Sequence, residues 1–310
     1  MTATPRKMNL SSLTKGKQSK PWRVLLYGTE GVGKSTFASQ CPSPVFLGAE
    51  DGTAHLDVQR FQSPQTWDDM RAAVQSLLDE THQFKTLVVD TVDWAEPLLW
   101  AHICLRDKKK DIEDYGYGKG YQAALDEWRV FLAQLERLRE KQINVLLLGH
   151  SHLRPFKNPE GEDYDRYELK LHLKAGGLLK EWCDAVLFAA HEMIATKDKK
   201  TSRVRGFSTG ARLMHASKTA AYDAKNRFDL PDTMPFSYAD FASAMAGTSV
   251  DVEALLAEIK RKTDAIKEAD REKVHAAIGR AGGDVSKLLQ LNTWVNSQPV
   301  VTQIEVTKES

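Results

Sequence analysis

Eight consecutive residues carry the sharpest chemical signal in this chain: Gly28, Thr29, Glu30, Gly31, Val32, Gly33, Lys34 and Ser35. They read Gly-x-x-x-x-Gly-Lys-Ser and follow directly on an apolar run that ends at Tyr27. Such glycines let the backbone curl so that successive N–H groups face one point, and a following helix adds the positive end of its dipole. A phosphate chain is the guest that fits. Lys34 is placed to reach β and γ phosphates, and the Ser35 hydroxyl to complete the coordination of a magnesium ion that keeps most of its waters. Thr36 closes the nucleotide-binding set. The bland alternative is a glycine-rich turn without a ligand; the strand before it and the Lys-Ser pair after it weigh against that.

Phosphoryl chemistry also needs a carboxylate to hold the magnesium water shell, and Leu87, Val88, Val89, Asp90 supplies one at the end of an apolar run. Asp90 is the Walker B candidate, with helix capping as its ordinary alternative. The next residue is Thr91, not glutamate, so a water-activating base must come from elsewhere. A second apolar run ends in Gly48, Ala49, Glu50, which puts Glu50 at the carboxyl edge of a sheet, where open α/β sheets bind ligands. Glu50 is therefore the candidate base. An exposed loop glutamate is its plain reading, and Asp51, Asp93 and Glu96 are rivals.

For these groups to converge, the runs that carry them must be neighbours. From Pro21 to about Ala246 short apolar runs alternate with longer amphipathic stretches, the pattern of a mostly parallel sheet flanked by helices. Five strands are predicted, at 23–27, 44–48, 86–90, 144–149 and 185–190, each nearly continuously apolar as in strands covered on both faces. Leu125, Trp128, Leu132, Leu135 and Leu138 predict a core helix between the third and fourth. A hairpin is expected after the fifth, with Met193 to Thr196 and Ser202 to Phe207 flanking the charged turn 197–200. Farther on, Val252, Leu255, Leu256 and Ile259 make a helical stripe, and Gly282 and Gly283 break the chain before Asp284 caps a last helix. The expected organisation is a flexible basic arm at 1–20, a core at 21–247, a small helical appendage at 248–298 and a loose tail at 299–310.

Composition narrows the class. With 27% charged and 42% hydrophobic residues, the chain is neither collagen-like, mucin-like nor wholly disordered. Lys and Arg number 43 against 42 acids, which excludes a globally basic nucleic-acid binder and leaves local patches open. No run approaches the ~18 apolar residues of a membrane span. The first residues lack the apolar core of a secretory signal, so the expected location is the cytoplasm. Cys41, Cys104 and Cys183 are odd in number and far apart, so they suggest core residues and neither a disulfide framework nor a zinc cage.

Taken together, these residues resemble the RecA-type ATPase core. More narrowly, they resemble a phage family of RecA-like recombinases and Sak-type single-strand annealing proteins, grouped as a phage nucleotide-binding AAA domain. The resemblance runs from about Pro21 to Phe241 and rests on four islands: Gly28 to Ser35, Phe46 to Glu50, the run ending in Asp90 and Thr91, and Ala224 to Pro231. It implies an α/β RecA-like P-loop NTPase core, ATP and Mg2+ as ligands, and Glu50 as catalytic glutamate. Lys225 and Arg227 match a cation pair that reaches into the neighbouring subunit's ATP site. Such cations stabilise charge on the γ phosphate only in the assembly, with a solvated basic turn as the alternative. His150 stands where this fold keeps a polar γ-phosphate sensor; a structural histidine, or His152 in its place, are the alternatives.

The run Asp114 to Tyr121 is also similar to the phage family. Its rings and glycines suit base stacking on single-stranded nucleic acid, with Lys108, Lys109, Lys110 and Lys119 to meet phosphates; a structured loop before a helix is the alternative. Leu153 to Tyr167 corresponds to a second DNA loop, with Arg154, Phe156 and Lys157 as contacts, although its three basic and four acidic residues make it no basic patch. The implied function is ATP hydrolysis coupled to single-stranded DNA in phage recombination or replication, in the host cytoplasm. Implied partners are other copies in a ring or filament, and a single-strand-binding protein. The alternatives are a nucleotide-gated annealing or recruitment module with little hydrolysis, and a small-molecule P-loop kinase.

Overall fold

The computed structural model describes residues 20–50, 52–197, 204–246, 252–264, 266–282 and 285–296, with residues 10, 13, 15, 16 and 298. Most of the basic arm, Asp51, the tip of the charged turn, Gly283, Asp284 and the tail at 299–310 lie outside the described residues.

All five apolar runs are strands: β1 (Arg23–Gly28), β2 (Pro44–Gly48), β4 (Thr86–Asp90), β5 (Asn144–Phe156) and β7 (Ala185–Lys197), with the short β3 (Gln59–Arg60) between β2 and β4. They lie parallel in the order β7-β1-β5-β4-β2-β3, as continuous apolar runs require when both faces are covered. Leu25, Tyr27, Leu47, Leu87, Val89 and Leu147 point to one face, where α2 (Trp67–Asp79), α3 (Val92–Arg106), α4 (Lys119–Glu140) and α5 (Leu173–Trp182) cover them. Val24, Leu26, Phe46, Val88, Leu146 and Leu148 point to the other, against α1 (Lys34–Ser39) and α6 (Tyr238–Met245). The chain thus forms an α/β P-loop core with a mostly parallel sheet. Cys41, Cys104 and Cys183 are all buried in it.

Antiparallel strands extend the parallel set. β7 runs on without a break past Ala190 and pairs with β8 (Val204–His215), Lys197 opposite Val204, so the hairpin is a prolongation of the fifth strand rather than a separate unit. β9 (Lys225–Asn226) pairs with the amino end of β7, and β10 (Thr233–Pro235) pairs with β8. The segment expected as a second DNA loop is largely a hairpin too: β5 continues to Phe156 and pairs with β6 (Tyr164–Leu169), leaving 157–163 as the connection. Its mixed charges pair within the hairpin. Arg154 lies 3.8 Å from Glu168, and Lys157 pairs with Asp163. Arg166 covers the Phe156 ring at 5.1 Å.

A third cluster, Leu255, Ile259, Val274, Ala281, Leu288 and Val295, belongs to α7 (Val252–Thr263), α8 (Glu268–Ala281) and α9 (Val285–Asn296), with Ile266 from the connection between α7 and α8. Gly282, at φ 56°, ends α8 in the left-handed conformation that glycine adopts without strain. Among the described residues, no helix is long and apolar enough to cross a membrane.

The α4 stripe is the main support under the sheet. Its Trp128 is 1% exposed and meets Trp67 of α2 edge-to-face at 5.3 Å. Trp128→Ala is expected to lower unfolding stability by about 3–5 kcal/mol in urea denaturation; a loss under about 1 kcal/mol would mean that α4 is not core.

Candidate active site

Register brings the sequence-predicted residues to one edge. Gly28 of β1 sits opposite His150 of β5, and Gly48 of β2 opposite Asp90 of β4. On the other side of β1, Gly28 faces Ala189 so closely that a Cβ would fall 1.9 Å from the Ala189 carbonyl oxygen. Glycine is obligatory there. The loop then curls through Gly31 (φ 71°) and Gly33 (φ 100°), left-handed conformations that open into α1.

Lys34 is buried, and its Nζ donates to the carbonyls of Gly28 (3.3 Å) and Thr29 (3.0 Å). Burial lowers its pKa against the pull of Asp90, Asp93, Glu50 and Glu30. The Ser35 hydroxyl donates to Asp90 Oδ2 at 2.7 Å. Burial raises the Asp90 pKa although Ser35 and Lys34 favour the carboxylate. Thr29 Oγ1 is buried with no hydrogen-bond partner among the described residues. These residues fit a triphosphate with magnesium. The hydroxyl and the carboxylate lie together, and burial disfavours the carboxylate charge that a bound cation would favour.

Glu50 follows β2, its N–H donating to the Asp90 carbonyl at 3.3 Å. Its side chain is 36% exposed, and Oε2 lies 4.0 Å from His150 Nε2. On its far side the His150 ring meets Asp93 through Nδ1 at 2.9 Å, and the His150 backbone N–H donates to the same carboxylate at 2.9 Å. A proton on Nδ1 toward Asp93 turns the Nε2 lone pair to the site. Asp93, a rival base by sequence, has both its oxygens engaged by His150. Its burial would raise the pKa, but the His150 ring and backbone bonds bring it below the usual value. Glu96, the other rival, is buried one turn on. Its Oε2 accepts the His172 N–H at 3.0 Å, and burial raises its pKa to about 7. Among the described candidates, Glu50 is the carboxylate left open to the site, and Asp51 lies outside the described residues.

Lys225 and Arg227 are not at this chain's own phosphate loop. They lie by the amino end of β7, where Val186 pairs with Lys225. Lys225 departs from the expectation of a reaching cation. Its ammonium donates to the carbonyls of Lys180 (3.2 Å), Glu181 (2.8 Å) and Cys183 (2.6 Å), capping the carboxyl end of α5 and using all three of its donors. Arg227 is 57% exposed and 3.7 Å from Asp184. The lysines of the first expected DNA loop stand among acids: Lys109 Nζ donates to the Asp114 carbonyl and the Lys110 N–H to the Asp114 carboxylate, while Lys108 and Lys119 are exposed.

One contact had no signal in the sequence. Arg212 of β8 donates from Nη1 to the Val32 carbonyl of the phosphate loop at 3.0 Å, across a sequence distance no motif spans.

A family model described as AAA domain matches residues 20–228, from the approach to β1 through β9. The chain belongs to that family. No curated protein matches it. An AAA domain is of the nucleotide-binding, ATPase type and generally works with magnesium, in keeping with the Lys34, Ser35 and Asp90 arrangement.

Asp90→Asn separates stability from chemistry. With a folded pKa above the unfolded one, wild-type Asp90 costs stability as pH rises through that value, and asparagine removes the cost. The variant is expected to melt about 2 °C or more above the parent at pH 8 without ligand, a gain that fades toward pH 4, and to lose magnesium-dependent nucleotide turnover. Equal melting at both pH values would show that the carboxylate is not held against its charge.

Proposed function

We propose that this AAA-domain chain is a RecA-like ATPase that acts on single-stranded DNA, in phage recombination or replication. The observation that carries the ATPase half is the meeting at one sheet edge of Lys34, the Ser35–Asp90 pair and the Glu50–His150–Asp93 chain. The loop 28–36 receives the triphosphate, with Lys34 turning from the Gly28 and Thr29 carbonyls to the β and γ phosphates. Ser35 and Asp90 would hold magnesium, which would supply charge neutralisation at the phosphate oxygens. Glu50 orients and deprotonates the attacking water. His150, its ring fixed by Asp93, faces the γ phosphate through Nε2 and donates to it in the doubly protonated imidazolium form. Arg227 from an adjacent copy is the cation available across an interface.

The test is steady-state ATP hydrolysis with magnesium, with and without single-stranded DNA. Turnover that Lys34→Ala abolishes and Glu50→Gln lowers about 100-fold or more supports the reading. A parent without turnover, or a Glu50→Gln variant as fast as the parent, sinks it. If Glu50→Gln keeps strand annealing that Lys34→Ala loses, nucleotide occupancy rather than hydrolysis is what the protein uses.

The DNA half is supported by Tyr117. Three successive residues, Gly116, Tyr117 and Gly118, have φ of 71°, 49° and 69°, and the tyrosine ring is fully exposed. A left-handed tyrosine costs about 1 kcal/mol, while stacking one base returns about 1–3 kcal/mol. Tyr117→Ala is expected to weaken single-stranded DNA binding about 5- to 100-fold in fluorescence anisotropy and to leave DNA-independent turnover unchanged. Unaltered DNA affinity would remove this loop from the interface.

A further inference from the structure

We infer that Arg212 is a positioning residue for the phosphate loop, acting from β8 through the Val32 carbonyl to aim the Gly33 N–H at the nucleotide. The inference rests on the ATP-binding reading above and adds to it a residue from outside the motif.

A trans peptide is planar, with its C=O and N–H on opposite sides. The Val32 carbonyl that accepts from Arg212 Nη1 at 3.0 Å therefore obliges the Gly33 N–H to point away from β8. In a loop that curls around its ligand, outward carbonyls are the condition for inward amides. The peptide turns about ψ of the buried Val32 and φ of Gly33, and at Gly33, with φ 100°, no Cβ resists that rotation. A flipped peptide would present a carbonyl dipole to the phosphates and repel them.

The φ of 100° already calls for glycine at position 33, and the guanidinium occupies the flank a side chain would take. A Cβ on Gly33 would stand 2.6 Å from Arg212 Nη1. Arg212 itself is fixed at its backbone, paired with His191 on one side and accepting the Phe236 N–H at 2.9 Å on the other. Phe236 in turn stacks on Phe37 of α1 at 5.2 Å, so the backbone contact of Arg212 is packed against the helix that the phosphate loop opens into.

The experiment uses a fluorescent, slowly hydrolysed ATP analogue with magnesium, on the full chain well below each variant's melting midpoint, together with steady-state ATP kinetics. Arg212→Met keeps the apolar stem and removes the donors; Arg212→Lys restores one charged donor. Arg212→Met is expected to raise Kd for the analogue and KM for ATP about 5- to 30-fold, the equivalent of a lost charge-assisted hydrogen bond, with kcat within about twofold. Arg212→Lys is expected to recover most of the affinity. A Met variant that binds as tightly as the parent, while Lys34→Ala does not bind, overturns the role of Arg212 alone. A fall in kcat with unchanged KM also overturns it, since that would place Arg212 in the transition state. A parent that binds no analogue overturns the ATP reading and this inference with it.

Discussion

Every group at the site depends on the parallel register of β1, held between β5 and β7. A slip of one residue in that register would turn Leu25 and Tyr27 to the wrong face and carry Gly28 away from Ala189. The near contact at Gly28 is the tightest point of the arrangement, because a backbone carbonyl cannot move aside as a side chain could. With that pairing set, the ends of β1, β2, β4 and β5 fall in line, and Lys34, Glu50, Asp90 and His150 follow from chain connectivity alone.

The electrostatics of the site follow from burial. Lys34 and Asp90 are each held against their charged forms, one with a lowered and one with a raised pKa, although they favour each other's charge. Burial outweighs their attraction, as it does where two ions lose more hydration than they regain in contact. A triphosphate with its cation would supply what both lack: anionic oxygens for the ammonium and a divalent charge for the carboxylate. On the proposed reading the site is costly without ligand and would be relieved by it, the condition for binding energy to reorganise the loop rather than merely fill it.

The features legible in the sequence were those dictated by local pattern. The phosphate loop, Asp90 and the five apolar strands were visible because spacing or continuous hydrophobicity specifies them. The α4 stripe was visible for the same reason, and Leu125, Trp128, Leu132, Leu135 and Leu138 are all buried. The ends of β5 and β7 were not, because a strand that leaves the sheet's covered centre exchanges apolar continuity for charges that pair across a hairpin. Lys225 illustrates another limit. Its motif spacing is that of a reaching cation, but the carbonyls that occupy it come from a helix end more than forty residues earlier. Asp93 was read as a base because its type allowed it; only the fold shows both its oxygens given to His150.

Helix α3 joins these observations. It begins directly after Asp90 and carries Asp93 and Glu96 one turn apart on its buried side. Asp93 holds the end of the parallel part of β5 at His150, and Glu96 holds the backbone of His172 at the start of α5. The hairpin of β5 and β6 leaves the sheet between those two anchors, and the Lys170 N–H closes its base on the His150 carbonyl at 2.8 Å. Its root is thus clamped by the helix that follows Asp90. A shift at His150 cannot be absorbed by the strand alone, because the Asp93 carboxylate ties both the ring and the backbone of that residue to α3. The site and the hairpin are mechanically one piece at this point, through two carboxylates whose spacing is that of a single helical turn.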